Sequence, residues 1–263
     1  MSKPTILIVG GSFAPPDVYD NIIDAIKAKG YDIRALHYPS VGLRAEPKPE
    51  KLPTMYDDAA FVANEVSKLA DEGKEVILVP HSYGGIPATE STKGLTKKER
   101  QSQGKAGGII RLAYMTSLVP PVGSSAQSLL GGIPSENRIE LKIDEQGWMH
   151  YVDLPAAAAL IVSDLPDAKE REALVTRFQT HSSASFATEL THAGYKDVPV
   201  SYLFCAEDAI LPPKFQRDWI ELIEKESGNK VDVTSLPVGH CPSYTKPQEV
   251  IDWIVKAAEK GGN

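Results

Sequence analysis

The feature that most constrains this chain is an alternation that starts with its first residues. Short apolar runs of strand length alternate with stretches whose apolar residues recur every three or four positions. A strand covered by helices on both faces reads as an unbroken apolar run. The pattern therefore predicts an α/β fold on a mainly parallel sheet of about six or more strands, with helices on both faces. Thr5 to Val9 reads as the first strand, and Asp17 is placed to cap a helix bearing Val18, Ile22, Ile23 and Ile26, with Gly30 at its end. Tyr31 to His37 reads as the second strand. A polar, proline-bearing loop from Pro39 to Pro53 leads to Thr54, an N-cap for a helix carrying Ala59, Val62, Val66 and Leu69 on one side and closed by Gly73. Glu75 to Val79 is the next strand, running straight into Pro80-His81-Ser82-Tyr83-Gly84-Gly85, after which a helix starts over Ile86 to Ser91. The polar, basic stretch from Lys93 to Lys105, with Lys97, Lys98 and Arg100, is expected to be a solvated surface loop, and Ile109 to Met115 a further strand.

The alternation breaks between Pro120 and Tyr195. A Gly/Pro/Ser-rich link gives way to strand-like Ile139 to Ile143 and Trp148 to Val152, then to helical Pro155 to Val162 and Ala168 to Phe178. Residues 120–195 are expected to form an inserted cap over a core made of residues 1–119 and 196–263. The pattern resumes with a strand over Val200 to Cys205, a helix from Pro213 to Lys225, a strand over Val231 to Leu236 and a last helix from Pro247 to Ala258.

Composition narrows the ligand. With 28 Lys and Arg against 35 Asp and Glu the net charge is −7, which repels phosphate backbones and anionic lipid and makes nucleic acid or a membrane surface a poor partner. A small molecule is the expected ligand. No run approaches the ~20 apolar residues of a membrane span, and Ile6 to Val9 is too short for a signal-peptide core. Cys205 and Cys241 are too few for a disulfide framework; read as reduced thiols, they point to the cytoplasm.

Ser82 stands between an apolar strand and two glycines. A nucleophile there projects its hydroxyl from a sharp turn at the carboxyl edge of the sheet, and small neighbours permit that turn. The usual pattern is G-x-S-x-G, and here Pro80 replaces the first glycine. Such a serine needs a histidine and an acid, and for a nucleophile on a strand-to-helix turn of this kind of sheet the chain order is serine, acid, histidine. The acid candidates are the adjacent Glu207 and Asp208, just after the strand Val200 to Cys205. The base candidate is His240, in the loop ahead of the last helix; an imidazole with its ordinary pKa of ~6.5 suits proton transfer at neutral pH. The loop Gly10-Gly11-Ser12-Phe13 offers backbone N–H groups opposite that of Tyr83 for an oxyanion. Its glycines lack the spacing of a dinucleotide or P-loop site, and no His, Cys, Asp or Glu grouping has metal-ligand spacing. His37, His150, His181 and His192 lack a catalytic placement, although His150 and His181 fall in the cap where substrate passes; His81, next to Ser82, reads as supporting structure.

Together these residues resemble the α/β-hydrolase superfamily, and within it the branch of plant methylesterases, hydroxynitrile lyases and related bacterial and fungal esterases. The likeness runs over nearly the whole chain. It is most specific in Val79 to Gly85, in Tyr202 to Gln216, in Gly239-His240-Cys241-Pro242, and in His181 to Phe186, which is similar to the end of that branch's cap. The resemblance implies the α/β-hydrolase fold, a triad of Ser82, His240 and Asp208, oxyanion donors at the backbone of Ser12 and Tyr83, and no cofactor. Gly10 departs from it, standing where many relatives carry a histidine. Hydroxynitrile lyases of the branch have a threonine in that loop and a lysine after the catalytic histidine, where this chain has Gly11 and Cys241. Epoxide hydrolases and dehalogenases of the fold use an aspartate nucleophile, where this chain has Ser82.

The expected activity is hydrolysis of a carboxylic ester or lactone of a small, mainly apolar molecule through an acyl-enzyme on Ser82. Two other readings stand beside it: intramolecular acyl transfer, such as lactonisation or product release in secondary metabolism, and a non-catalytic small-molecule binding protein of the same fold. Phe13, Tyr83, Trp148 and Leu211 are expected to line the pocket. No helix shows a sustained heptad that would indicate an oligomeric state.

Overall fold

The computed structural model describes residues 3–262. β1 (Thr5–Val9) leads to α1 (Asp20–Ala28), and β2 (Ile33–Leu36) and the two-residue β3 (Val41–Gly42) precede α2 (Met55–Asp71). β4 (Glu75–Ser82) enters α3 (Gly85–Glu90), followed by α4 (Lys97–Ser102) and β5 (Gly108–Ser117). A long excursion then holds α5 (Ala126–Gly131), β6 (Leu141–Ile143), β7 (Trp148–Tyr151), α6 (Leu154–Ile161), α7 (Ala168–Thr176), β8 (Thr180–Ser182) and α8 (Ser183–Ala187). The chain returns through β9 (Val200–Cys205), α9 (Pro213–Ser227), β10 (Asp232–Leu236), α10 (Pro242–Thr245) and α11 (Pro247–Lys260).

Six strands form one sheet in the order β10-β9-β5-β4-β1-β2, and every pairing is parallel, as the alternation predicts. The apolar runs divide between two cores because successive side chains of a strand point to opposite faces. Ile6 and Ile8 of β1 join Ile22 and Ile26 of α1 and Val250 and Ile254 of α11 on one face. Leu7 and Val9 join Val62 and Val66 of α2 and Ile223 of α9 on the other. Thr54 caps α2 as expected, its side chain accepting from Asp57 N–H while the Asp57 carboxylate accepts from Thr54 N–H. Among the described residues no helix is long and apolar enough to cross a membrane.

Three local expectations change. Asp17 caps no helix: it lies in a single 3-10 turn over Pro16–Tyr19, and α1 starts at Asp20 without a side-chain cap. The basic stretch expected to be a solvated loop holds α4, started by a capping box between Thr96 and Glu99. Its Arg100 is buried and donates to the Asp71 carboxylate at 2.8 Å. One and a half turns are too short to show a helical period, so the legible signal was the T-x-x-E pattern itself. The strand expected to stop at Val79 continues to Ser82, with Pro80 opposite Val9.

Between β5 and β9 the chain builds a second, antiparallel sheet in the order β3-β8-β7-β6. One of its strands, β3, comes from the loop before α2 rather than from residues 120–195. Ala157, Ile161, Leu174 and Val175 of α6 and α7 share the apolar cluster of α1 and α11, which seats this excursion over the carboxyl ends of the main strands.

Candidate active site

Strand β4 delivers Ser82 to the carboxyl edge of the sheet and turns at once into α3. The turn closes only because of its glycines: a Cβ on Gly84 would sit 2.1 Å from the Val9 carbonyl oxygen, and one on Gly85 2.2 Å from that of Leu118. Ser82 itself has φ +52°. The other two non-glycine residues with positive φ among the described residues are Phe13 at 64° and Thr116 at 33°. Each such conformation costs of order 1–3 kcal/mol, and all three surround one site.

The Ser82 hydroxyl lies 2.9 Å from His240 Nε2, and His240 Nδ1 lies 2.7 Å from Asp208 Oδ2. Nδ1–H donates to the carboxylate, which leaves the Nε2 lone pair to accept from Ser82. The three residues are 7%, 5% and 3% exposed in the order Ser82, His240, Asp208. Asp208 Oδ1 accepts from the N–H groups of Ile210 and Leu211, each at 2.8 Å, while Oδ2 also receives the Thr116 hydroxyl. Gln216 braces this turn, accepting from Cys205 N–H at 3.0 Å and donating to the carbonyls of Cys205 and Leu211. Glu207, the neighbouring carboxylate, is exposed.

His81 ties this arrangement to the first loop. Its Nε2–H donates to the His240 carbonyl at 2.8 Å, and its Nδ1 accepts from the Tyr19 hydroxyl at 2.8 Å. That hydroxyl in turn accepts from Gly11 N–H at 3.0 Å. Burial, reinforced by the neighbouring His240, lowers the His81 imidazole to about 3, so it stays neutral. The Tyr19 ring also crowds position 10, where a Cβ would lie 3.1 Å from it. Ser12 and Tyr83 border the cavity, and among the described residues no protein acceptor engages either backbone N–H.

The cavity holds about 320 Å³, with Ser82 and His240 on its wall. Of the residues singled out for the lining, Phe13, Tyr83 and Leu211 lie on its wall, together with Tyr151, Phe178 and Phe186. Trp148 does not. It is 1% exposed and packs outside the cavity beneath Lys48, whose ammonium lies 4.9 Å from its ring centroid. Strand alternation explains the correction: Trp148 and His150 share one face of β7, whereas Met149 and Tyr151 share the other and join the apolar cluster beside the site. The Tyr151 ring packs tilted against that of Phe13, with centroids 4.7 Å apart, and its hydroxyl has no protein partner among the described residues. His150 pairs with Asp144 away from the cavity, and His181 is buried behind its wall.

Sequence reasoning assigned no bracing role to the groups that hold this site in place, namely Tyr19, Tyr38, Asp58, His181 and Gln216. Asp58 left a legible trace, a carboxylate on the apolar stripe of α2 beside Met55, Ala59 and Val62. It accepts from Ser40 N–H at 2.8 Å, the Ser40 hydroxyl at 2.6 Å and the Tyr83 hydroxyl at 2.7 Å. Burial outweighs these donors and pushes its carboxyl up to about 7.

Residues 6–253 match the family model described as "Alpha/beta hydrolase family". A protein named probable hydrolase R7, of the fungus Phoma sp., is 34% identical over 259 residues, spanning 98% of this chain and 99% of its own. Methylesterase 9 of Arabidopsis thaliana is 26% identical over 226 residues, 80% of this chain and 81% of its own. The crystal structure of a pyrethroid hydrolase from Sphingobium faniae superposes with a TM-score of 0.74 at 20% identity, covering 98% of both chains. At that identity the structural likeness is one of fold.

Proposed function

The chain belongs to the alpha/beta hydrolase family, and from that premise we propose that it cleaves a carboxylic ester or lactone of a small, mainly apolar molecule through an acyl-enzyme on Ser82. The observation that carries this reading is the Ser82–His240–Asp208 hydrogen-bonded chain opening onto an apolar cavity. The names of the relatives, a probable hydrolase and a methylesterase, support the reaction class.

In this mechanism Ser82 Oγ attacks the ester carbonyl carbon while His240 Nε2 takes its proton, and the carbonyl π electrons move onto oxygen. The N–H groups of Ser12 and Tyr83 meet that oxyanion; a donor so placed is worth ~2.7–4 kcal/mol in the barrier. Asp208 remains a carboxylate, holding the imidazole in one tautomer and stabilising the imidazolium. Collapse expels the alcohol oxygen, which takes the proton from His240 and leaves Ser82 acylated. Water, deprotonated by His240, then attacks the acyl carbon, and Ser82 Oγ leaves with the proton returned. For a lactone the product is the open hydroxy acid. The walls formed by Phe13, Leu211, Phe178 and Phe186 suit an apolar acyl or alcohol group, and the Tyr151 hydroxyl supplies a hydrogen bond to an oxygen of the substrate.

The test is labelling by a fluorophosphonate probe, with turnover of p-nitrophenyl esters, methyl esters and lactones by the wild type and by Ser82→Ala. Labelling confined to Ser82, with turnover lost in the variant and ¹⁸O from labelled water in the acid product, is the expected result. An unlabelled wild type that cleaves none of these compounds overturns the reading in favour of a binding protein. A cyclised product without ¹⁸O shows acyl transfer within the substrate instead.

A further inference from the structure

The loop that carries Ser12 is gripped from several sides. The Tyr38 hydroxyl lies 2.8 Å from the Gly10 carbonyl and 3.0 Å from that of Gly11, and Gly11 N–H donates to Tyr19. Phe13, in its left-handed conformation, is held at both ends by residues 179–181, at the entry to β8. Its N–H donates to His181 Nδ1 at 3.2 Å, and its carbonyl accepts from Gln179 N–H at 2.7 Å.

We propose that His181 is a positioning residue for oxyanion stabilisation, through which strand β8 sets the Ser12 N–H against Ser82 by holding Phe13. This rests on the acyl-enzyme reading. A phenylalanine at positive φ is strained, so an ungripped loop relaxes, and because Ser12 joins the Gly11–Ser12 peptide unit that carries its N–H to the Ser12–Phe13 unit that His181 holds, that relaxation displaces the Ser12 N–H as well. His181 is well suited to the grip. It is fully buried, and because Nδ1 accepts from Phe13, Nε2 carries the hydrogen and donates to Ser185 Oγ at 3.0 Å, with Ser40 Oγ at 3.3 Å. Burial holds its imidazole at about 3, so the lone pair on Nδ1 persists through neutral pH. The excursion that walls the cavity is thereby wired to the reacting oxygen.

Two variants of equal polarity separate this role from simple packing. His181→Asn keeps an acceptor close to the place of Nδ1 and gives up the contact with Ser185, whereas His181→Gln reaches Ser185 and gives up Phe13 N–H. The asparagine variant should keep kcat within about threefold of wild type. The glutamine variant should lose about 10–100-fold in kcat with KM little changed, and be phosphonylated more slowly in proportion. Equal kcat in the two folded variants, or a loss confined to KM, overturns the proposal. If instead the wild type is unlabelled by fluorophosphonate and turns nothing over, it is the acyl-enzyme reading that fails. Hydrogen exchange on the wild-type protein reads the grip by itself, also where a variant does not fold. The Phe13 amide should exchange as slowly as those of β8, and a fast Phe13 amide overturns the proposal.

Discussion

Asp58 lies beneath Ser40 and Tyr83 at 0% exposure, with its carboxyl raised by burial from 3.8 to about 7. A carboxyl raised in the folded state binds more protons there than in the unfolded chain, so its contribution to stability is fully present below about pH 4. That contribution is lost as pH rises through 7. From pH 5 to pH 8 the folded state gives up one proton that the unfolded state has already released, over roughly two pH units of slope at about 1.36 kcal/mol each. Wild-type stability should therefore fall by about 2–3 kcal/mol over that window relative to Asp58→Asn, which has no proton to lose. The asparagine keeps the acceptor for Ser40 N–H but disturbs the two hydroxyls, so its absolute stability will differ. The informative quantity is the change in the difference between the two proteins. Urea unfolding at pH 5, 6, 7 and 8, with the m-value checked for constancy, reads it directly. Parallel curves would refute the reasoning. They are what the three hydrogen bonds from Ser40 and Tyr83 would give if they outweighed burial, since a carboxylate already charged at pH 5 releases no proton in this window.

Two further outcomes follow from the same geometry. Gly84→Ala drives a Cβ into the carbonyl oxygens of Val9 and Gly10, which are backbone and cannot rotate away, so about 3 kcal/mol of stability and roughly 6–12 °C of Tm should be lost along with labelling of Ser82; an unchanged melting curve would show that the elbow has more room than described. The thiols of Cys205 and Cys241 are buried and pushed up by burial, so iodoacetamide at pH 8 should leave both unmodified in the folded protein and alkylate both in urea. Rapid alkylation of Cys241 in the folded protein, read by mass spectrometry, would contradict the environment assigned to it.

What could be read from the sequence was what periodicity and chain order encode. The apolar runs of β1, β4, β5 and β9 announced a parallel sheet because each is buried on both faces, and that order of elements brings Ser82, Asp208 and His240 to one edge. Side-chain direction inside the excursion was less legible. Trp148 was the obvious aromatic candidate for the pocket, yet a three-residue offset on a strand reverses the face, and Tyr151 borders the cavity instead. The bracing groups were illegible for another reason. His181, Ser40 and Tyr38 meet the site across separations of tens to more than a hundred positions, and nothing local to any of them marks the partner. Asp58 was the exception, visible as a charge where α2 should be apolar.

The two-residue strand β3 makes the excursion a poor unit of exchange. Val41 and Gly42 pair with His181 and Thr180, the Thr180 hydroxyl donates to the Gly42 carbonyl at 2.7 Å, and Ser182 N–H donates to the Ser40 carbonyl at 2.9 Å. Gly42 has no room for a side chain, since a Cβ there would meet the Trp148 ring at 2.6 Å. A graft that swaps residues 120–195 for those of a relative would bring three strands of a sheet and leave behind the fourth, shaped for a tryptophan that has gone. Recombination between family members should therefore succeed only when the segment around Ser40 to Lys48 travels with the excursion, so that two stretches far apart in the chain are inherited as one unit.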